Sequence, residues 1–210
     1  MVLWKKILKQ FLLENYDLLK ETNWMIMGSM ATALQGCNII PNDMDIIMKN
    51  KKDVYLLAKL MDKYAINESN EEAVHYNDNW KSTKKNPTLE DEYDKTKDCW
   101  TFGRWFMEAY KIECASIIPP EDYLCNKKES DGIWEGGPEI WKYKKYVNFD
   151  NYIIPVVPLE VQLETNLSRN YQDRVDKIID LFNTYSFDKE LLIYSLSKKN
   201  KEKIRTYCLI

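Results

Sequence analysis

Four residues in the first quarter of the chain are of the types that bind and transfer phosphate groups. Gly28 and Ser29 follow a short apolar segment, and thirteen residues then separate Ser29 from Asp43, with Asp45 two positions later. The apolar segment is typical of a buried strand, and Gly28 allows a tight turn with a close backbone approach to a ligand. Ser29 is placed to cap a helix over 30–34, and a helix N-terminus is a natural anion site. The pattern predicts a phosphate-binding turn at Gly28 and Ser29.

The two aspartates predict a metal site. Alternate residues of a strand point to one face, so a strand through Asp43 and Asp45 brings both carboxylates together while Met44 and Ile46 face the core. Two adjacent carboxylates repel each other unless a cation lies between them, and Mg²⁺ prefers carboxylate and phosphate oxygens. The alternative is a structural turn followed by two solvated aspartates on an edge strand, although Asp is depleted in strand interiors.

Together the two motifs resemble the signature of the nucleotidyltransferase superfamily that includes DNA polymerase beta. That signature is an apolar residue, Gly, Gly or Ser, a spacer, and then Asp-apolar-Asp-apolar. The matching residues are Met27, Gly28, Ser29, Asp43, Met44, Asp45 and Ile46, with a long spacer. The resemblance implies an α+β fold with a mixed central sheet of the minimal nucleotidyltransferase type, flanking helices and a C-terminal helical extension.

The resemblance also requires a third carboxylate on a later strand. Residues 110–118 alternate well enough to form a strand, and Glu113 projects away from its apolar neighbours Ile112 and Cys114. We therefore assign Glu113 the third position, with an ordinary exposed strand residue as the alternative. Residues 99–107 predict the partner strand, with the hairpin turn at Glu108, which is a poorer candidate.

The implied reaction is nucleotidyl transfer. An acceptor hydroxyl attacks the α-phosphorus of a nucleoside triphosphate such as ATP or GTP, and pyrophosphate leaves. Asp43 and Asp45 would hold two Mg²⁺ ions that neutralise charge on the attacking and leaving oxygens, and Glu113 would complete the acceptor-side ion. These three acids are the predicted catalytic and metal-binding residues.

The phosphates of the nucleotide need donors and positive charge. Ser29 and the backbone N–H groups around Gly28 would hold the β- and γ-phosphates. A cationic clamp on the triphosphate is expected as well, and Arg104 and Lys111 are its candidates.

Composition favours a globular chain in a reducing compartment. The chain has 210 residues, of which 45% are apolar and 30% charged, and no apolar run is long enough to span a membrane. The five cysteines form no Cys-x-x-Cys pair, which argues against a disulfide framework or a zinc site. We expect a cytoplasmic protein. Its single histidine, His75, is expected in a loop or strand and not as a catalytic base.

The elements that position the site divide the chain into a nucleotidyltransferase core over 1–157 and a helical subdomain over 158–210. An amphipathic helix opens the core, because apolar residues from Trp4 to Leu19 keep helical spacing. A helix over 54–64, a loop over 81–98, an insertion or short hairpin up to about residue 145, and an edge strand over 152–157 follow.

The C-terminal region resembles small nucleotidyltransferases of the antibiotic-resistance and AbiEii-toxin type. It departs from them at Asn166, where a Lys is expected, and at Gln172 before Asp173. Arg169, Asp173 and Arg174 are therefore expected to form an interhelical ion-pair network.

Three classes of function are open, and they differ in what the nucleotide is transferred to. The first is an enzyme that acts on a small molecule. A net charge of −3 and a pI near 5.4 disfavour extended nucleic-acid contact and suit a small cationic acceptor. An aminoglycoside-like or lincosamide-like molecule fits that description. A toxin-like enzyme that modifies tRNA or protein is the second class. A catalytically silent nucleotide-binding protein is the third.

Overall fold

The computed structural model, which describes residues 2–67, 79–128, 131–207 and 209–210, is built on a mixed seven-stranded β-sheet. The strands in chain order are β1 Trp24–Met27, β2 Asp43–Met48, β3 Leu89–Glu90, β4 Cys99–Met107, β5 Tyr110–Ile118, β6 Lys145–Phe149 and β7 Tyr152–Val156. Their order across the sheet is β3-β4-β5-β2-β1-β7-β6. The strands β1 and β2 that carry the two motifs are therefore neighbours near the centre of the sheet.

Eight α-helices in the described ranges flank this sheet. They are α1 Leu3–Leu19, α2 Gly28–Leu34, α3 Lys51–Leu60, α4 Tyr123–Asn126, α5 Leu159–Ser168, α6 Gln172–Thr184, α7 Lys189–Ser195 and α8 Lys198–Arg205. Short 3-10 helices lie at Met61–Tyr64 and Pro138–Lys142. None of the helices described is both long and apolar enough to cross a membrane.

The alternation of side chains along β2 separates the core from the site. Met44, Ile46 and Met48 pack in one hydrophobic cluster with α1 and α3. Asp43 and Asp45 share the opposite face with Ile47, as alternate strand residues must. Ile47 packs there in a second cluster that includes Val161 of α5. The predicted site therefore faces the C-terminal helices.

The helix α5 is buried along almost its whole length, from Leu159 to Leu167. One side packs on the sheet through Val161, and the other packs on the following helices through Leu163 and Leu167. A helix with this pattern lies inside a fold and not on its surface. The division into a core over 1–157 and a subdomain over 158–210 remains a prediction.

The α+β class, the mixed sheet and the helical C-terminal region are confirmed. The hairpin β4–β5 has the predicted bounds, and its turn residues Glu108 and Ala109 have positive φ values of 49° and 64°. The amphipathic opening helix is present as α1, which buries Trp4 and Leu19 at its two ends.

Three local predictions were wrong. Ser29 does not cap α2, because that helix already begins at Gly28 and has no side-chain cap. Strand β7 was predicted at an edge but is internal and lies between β1 and β6. It pairs in parallel with β1 at Val156, the residue after Pro155, which has no N–H to donate. The third wrong prediction concerns a loop.

The predicted loop over 81–98 contains the two-residue strand β3, which is too short to leave a periodic pattern. Of the two alternatives for the segment up to about residue 145, the structure favours the insertion over the hairpin: the segment contains a short α-helix and a 3-10 helix, and the edge strand β6 begins at Lys145. The helix predicted over 54–64 begins earlier, at Lys51, and ends in the 3-10 turn. His75 lies outside the described residues.

Candidate active site

Three carboxylates meet on one face of the sheet. Asp45 of β2 lies opposite Glu113 of the parallel strand β5, and Asp43 lies two residues before Asp45 on the same face. Within the described ranges these three acids are the group found to be able to hold a metal ion, since each offers an oxygen within 4.8 Å of the others. Parallel pairing in register thus brings the predicted third acid beside the aspartate pair.

At Gly28 the backbone comes close to the carboxylate of Asp45. Its φ of +63° lies in the left-handed region, which glycine adopts without strain. A Cβ atom on Gly28 would lie 2.5 Å from Oδ2 of Asp45. The residue must therefore be glycine both for its conformation and for the space that the Asp45 carboxylate occupies.

Two basic side chains of the β4–β5 hairpin bind the acids directly. Nε of Arg104 lies 2.5 Å from Oε1 of Glu113, and its Nη1 donates to the carbonyl of Trp80 at 2.9 Å. Nζ of Lys111 lies 3.0 Å from Oε2 of Glu113 and 3.1 Å from Oδ2 of Asp43. Both residues, predicted as clamps on a triphosphate, are instead bound to the acid cluster.

The pKa values of Glu113 and Asp45 are shifted in opposite directions. Burial opposes the ionisation of Glu113, but the hydrogen bond from Lys111 and the charge of Arg104 outweigh it and lower the pKa of Glu113. Burial raises the pKa of Asp45 well above its usual value, and the charges of Asp43, Glu113 and Glu135 add to that effect. Asp45 is therefore the acid that most lacks a compensating positive charge.

A cavity of about 370 Å³ opens over the three acids. Its described lining residues are Met27, Gly28, Ser29, Asp43, Asp45, Ile46, Trp100, Phe102, Glu113, Ala115, Glu135, Arg169, Tyr171 and Arg174. All five predicted site residues, Gly28, Ser29, Asp43, Asp45 and Glu113, are thus brought to one cavity. Ser29 is buried in the first turn of α2.

The lining residues that were not predicted for this site from the sequence include Glu135, Arg169, Tyr171 and Arg174. Glu135 is buried, and its Oε2 accepts a hydrogen bond of 3.3 Å from the backbone N–H of Gly28. Nη1 of Arg169, at the end of α5, lies 3.5 Å from Oε1 of Glu135. Tyr171 and Arg174 complete this wall, with the guanidinium of Arg174 lying 5.1 Å from the Tyr171 ring centroid.

The predicted ion-pair network among Arg169, Asp173 and Arg174 was wrong. Arg169 pairs with Glu135, whereas Asp173 pairs with Lys177 one turn further along α6, at 2.9 Å. The reason is that α5 ends at Ser168, so that Arg169 follows the helix and points to the cavity. The only feature of the sequence that could have indicated this position is that Arg169 directly follows a buried helix.

Comparison with known proteins finds similarity at the level of structure. No protein-family profile and no curated protein sequence matches the chain. Among solved structures, the chain is similar to a protein from Thermotoga maritima whose assignment as a nucleotidyltransferase is itself inferred. The two share 20% sequence identity with a TM-score of 0.50, over 88% of this chain and 97% of the other. With its central mixed sheet, the chain therefore has a nucleotidyltransferase fold.

Proposed function

We propose that this protein is a Mg²⁺-dependent nucleotidyltransferase that transfers a nucleoside monophosphate from ATP or GTP to a hydroxyl group of a small molecule. The observation that carries the proposal is the meeting of Asp43, Asp45 and Glu113 within 4.8 Å of one another, beside the turn at Gly28. The nucleotidyltransferase fold of the chain supports it.

The acid cluster fits Mg²⁺ by the chemistry of its donors. Carboxylate oxygens are the preferred protein ligands of this ion, and Asp45 has a raised pKa because its buried charge is poorly compensated. When bound, Mg²⁺ neutralises the charge that develops on the attacking and leaving oxygens during phosphoryl transfer.

The residues of the chain have separate tasks in this reaction. The turn at Gly28 and Ser29 would receive the β- and γ-phosphates, with Arg169 and Arg174 as the basic side chains of the same cavity. Because its pKa is lowered, Glu113 is a weak base. Its task is to supply fixed negative charge on the acceptor side, and not to take the proton of the acceptor hydroxyl.

The size of the cavity and the net charge of the chain favour a small acceptor over a macromolecule. A volume of about 370 Å³ is in the range of ordinary small-molecule sites, and the net charge of −3 suits a cationic acceptor such as an aminoglycoside-like compound. A lincosamide-like sugar is a second small acceptor, and a tRNA or protein acceptor is the alternative. The reaction would take place in the cytoplasm.

The direct test is transfer of label from α-³²P-labelled ATP and GTP to panels of aminoglycosides, lincosamides and tRNA, together with pyrophosphate release. We expect one acceptor class to become labelled in the presence of Mg²⁺. Asp43→Asn and Asp45→Asn should lower the rate by at least about 100-fold, as loss of transition-state charge stabilisation does. Asp62→Asn, which changes an exposed partner of Lys84, is the matched control. Label transfer undiminished in Asp45→Asn would contradict the proposal.

A further inference from the structure

Two groups of the proposed phosphate site, the backbone N–H of Gly28 and the guanidinium of Arg169, both contact the side chain of Glu135. The backbone N–H of Gly28 donates to Oε2 of Glu135 at 3.3 Å. The guanidinium of Arg169 lies 3.5 Å from Oε1 of the same carboxylate. One oxygen of the Glu135 carboxylate thus binds the Gly28 amide, and the other pairs with Arg169. Both partners belong to the proposed nucleotide site.

Glu135 is an unusual residue to find there. It is only 2% exposed, and burying a carboxylate costs free energy unless it is well paired. Its pairing is incomplete, because Arg169 is half exposed and the contact with Gly28 is long. Its charge also adds to the repulsion felt by Asp45.

The segment that carries Glu135 is fixed on both sides. The N–H of Ile133 donates to the carbonyl of Ser195 at 2.8 Å. The ring of Trp134 packs against Trp100 with centroids 6.2 Å apart. Gly137 closes the turn by donating to the carbonyl of Trp134 at 2.9 Å. The backbone therefore directs the Glu135 side chain into the cavity, from which it can withdraw only by rotation about its own bonds.

We propose that Glu135 is an internal competitor of the nucleotide, in that its carboxylate occupies the position of a phosphate oxygen between Gly28 and Arg169. The triphosphate binds only when this side chain rotates away and releases both groups. Glu135 thereby sets the affinity for the phosphate end of the nucleotide. The inference rests on the proposed function, since it concerns the same site.

The charges in the cavity predict how neutralising Glu135 changes the affinity for phosphate. A triphosphate entering this cavity meets the carboxylates of Asp43, Asp45, Glu113 and Glu135. Removal of the Glu135 charge leaves Arg169 free to bind phosphate and removes one like charge beside it. Phosphate binding should therefore become tighter when Glu135 is neutralised, which is the opposite of what loss of an ordinary binding residue does.

The test is calorimetric titration of tripolyphosphate with Mg²⁺ into the full chain and into Glu135→Gln. We expect Glu135→Gln to bind tripolyphosphate at least about tenfold more tightly than the unmodified protein. Glu139→Gln is the matched control, because Glu139 is a buried acid four residues away that binds Lys127 and Tyr123 and does not line the cavity. Its tripolyphosphate affinity should equal that of the unmodified protein.

Glu135→Asp provides a second variant if Glu135→Gln fails to fold, because a side chain one methylene shorter cannot reach both Gly28 and Arg169. It should also bind tripolyphosphate more tightly, by a smaller factor. Unchanged or weaker binding in the folded variant would overturn the proposal and make Glu135 a residue that positions Arg169. Tighter binding in Glu135→Gln, together with no nucleotide transfer by the unmodified protein, would contradict the proposed function and still support the competition.

Discussion

At the scale of single residues, the site is organised by an imbalance of charge among its acids. Glu113 is held by Arg104 and Lys111, and Asp43 shares Lys111 with it. The pKa of Asp45 is raised by burial first and by the neighbouring acids second. A site of this kind is destabilised without a cation, as functional sites often are.

Asp45→Asn should therefore make the metal-free protein more stable. A raised pKa means that the folded protein holds the Asp45 proton more tightly than the unfolded chain does. The free energy of unfolding consequently falls as pH rises from the unfolded pKa of about 3.9 through the raised folded pKa. Asn cannot ionise, so the gain should be absent at low pH and reach a plateau above the folded pKa.

Thermal unfolding in chelator, followed from acidic to neutral pH, measures this difference. At the plateau we expect a rise in Tm of roughly 2–4 °C, which corresponds to about 1 kcal/mol for a chain of this size. Added Mg²⁺ should raise the Tm of the unmodified protein and leave that of Asp45→Asn unchanged. A lower Tm for Asp45→Asn at every pH would show that its carboxylate is structural.

Lys111→Met should have the opposite effect on the metal-free protein. Its ammonium group bridges Glu113 and Asp43, and loss of that bridge leaves two carboxylates without their shared cation. We expect a lower Tm in chelator and a larger stabilisation by Mg²⁺, because the ion then replaces the missing positive charge. Lys6→Met, which removes an exposed pair with Glu108, is the control. Equal Mg²⁺ stabilisation in Lys111→Met and the unmodified protein would contradict this role.

The sequence predicted the three acids and the turn at Gly28 but not the buried acid beside them, Glu135. Asp43 and Asp45 are separated by one residue, and Glu113 stands in a recognisable strand, so local patterns were sufficient to predict their positions. Glu135 contacts Gly28 across 107 positions of sequence, from a segment without regular periodicity. Such a contact depends on the tertiary packing of the loop, on which the alternation of apolar and polar residues carries no information.

At the scale of elements, the turn between β1 and α2 brings the backbone of Gly28 next to the carboxylate of Asp45. Gly28 serves as the first residue of α2, directly after the last residue of β1. The abrupt change from strand to helix depends on its positive φ, and it leaves no room for a side chain against Asp45.

Gly28→Ala should therefore damage both stability and the site. A Cβ would lie 2.5 Å from Oδ2 of Asp45, in a backbone conformation that costs an alanine about 1 kcal/mol. We expect a lower Tm and a loss of Mg²⁺-dependent ATP binding, measured by calorimetry. Gly36→Ala separates the two effects, because Gly36 also has a positive φ, but its Cβ would approach nothing closer than Leu181 at 3.9 Å. Retention of ATP binding in Gly28→Ala would contradict the assignment of this turn.

Long elements were predicted better than short ones, for a physical reason. The nine-residue strands β4 and β5 repeat their pattern often enough to be recognised, as does α1. The strand β3 has only two residues and is defined by pairing with β4. For β7, proline correctly indicated a missing hydrogen bond but not the position of the strand in the sheet.

At the scale of the whole molecule, the C-terminal helices form part of the site. Arg169 and Arg174 reach the cavity from the region after α5, while the acids come from the sheet. The helix α5 joins the two parts, since it packs on the sheet by Val161 and on later helices by Leu163. The proposed function therefore depends on both regions of the chain.

A fragment of residues 1–157 is expected not to fold. Without α5, the apolar face formed by Met25 and Ile47 would be exposed to water, and exposed patches of that kind favour aggregation. Calorimetry of the full chain should show one cooperative transition, and circular dichroism of the fragment should lack a cooperative transition. A fragment that melts cooperatively at a similar temperature would show that the two regions are independent domains.

The central claim is that the acid cluster and the Gly28 turn together hold a metal-bound nucleotide. The most direct measurement is a crystal structure of the full chain grown with Mn²⁺ and a non-hydrolysable ATP analogue, in which anomalous scattering locates the ions. We expect Mn²⁺ bound by oxygens of Asp43, Asp45 and Glu113, with the triphosphate at Gly28 and Arg169. An analogue bound elsewhere on the chain, or Mn²⁺ absent from these three carboxylates, would contradict it.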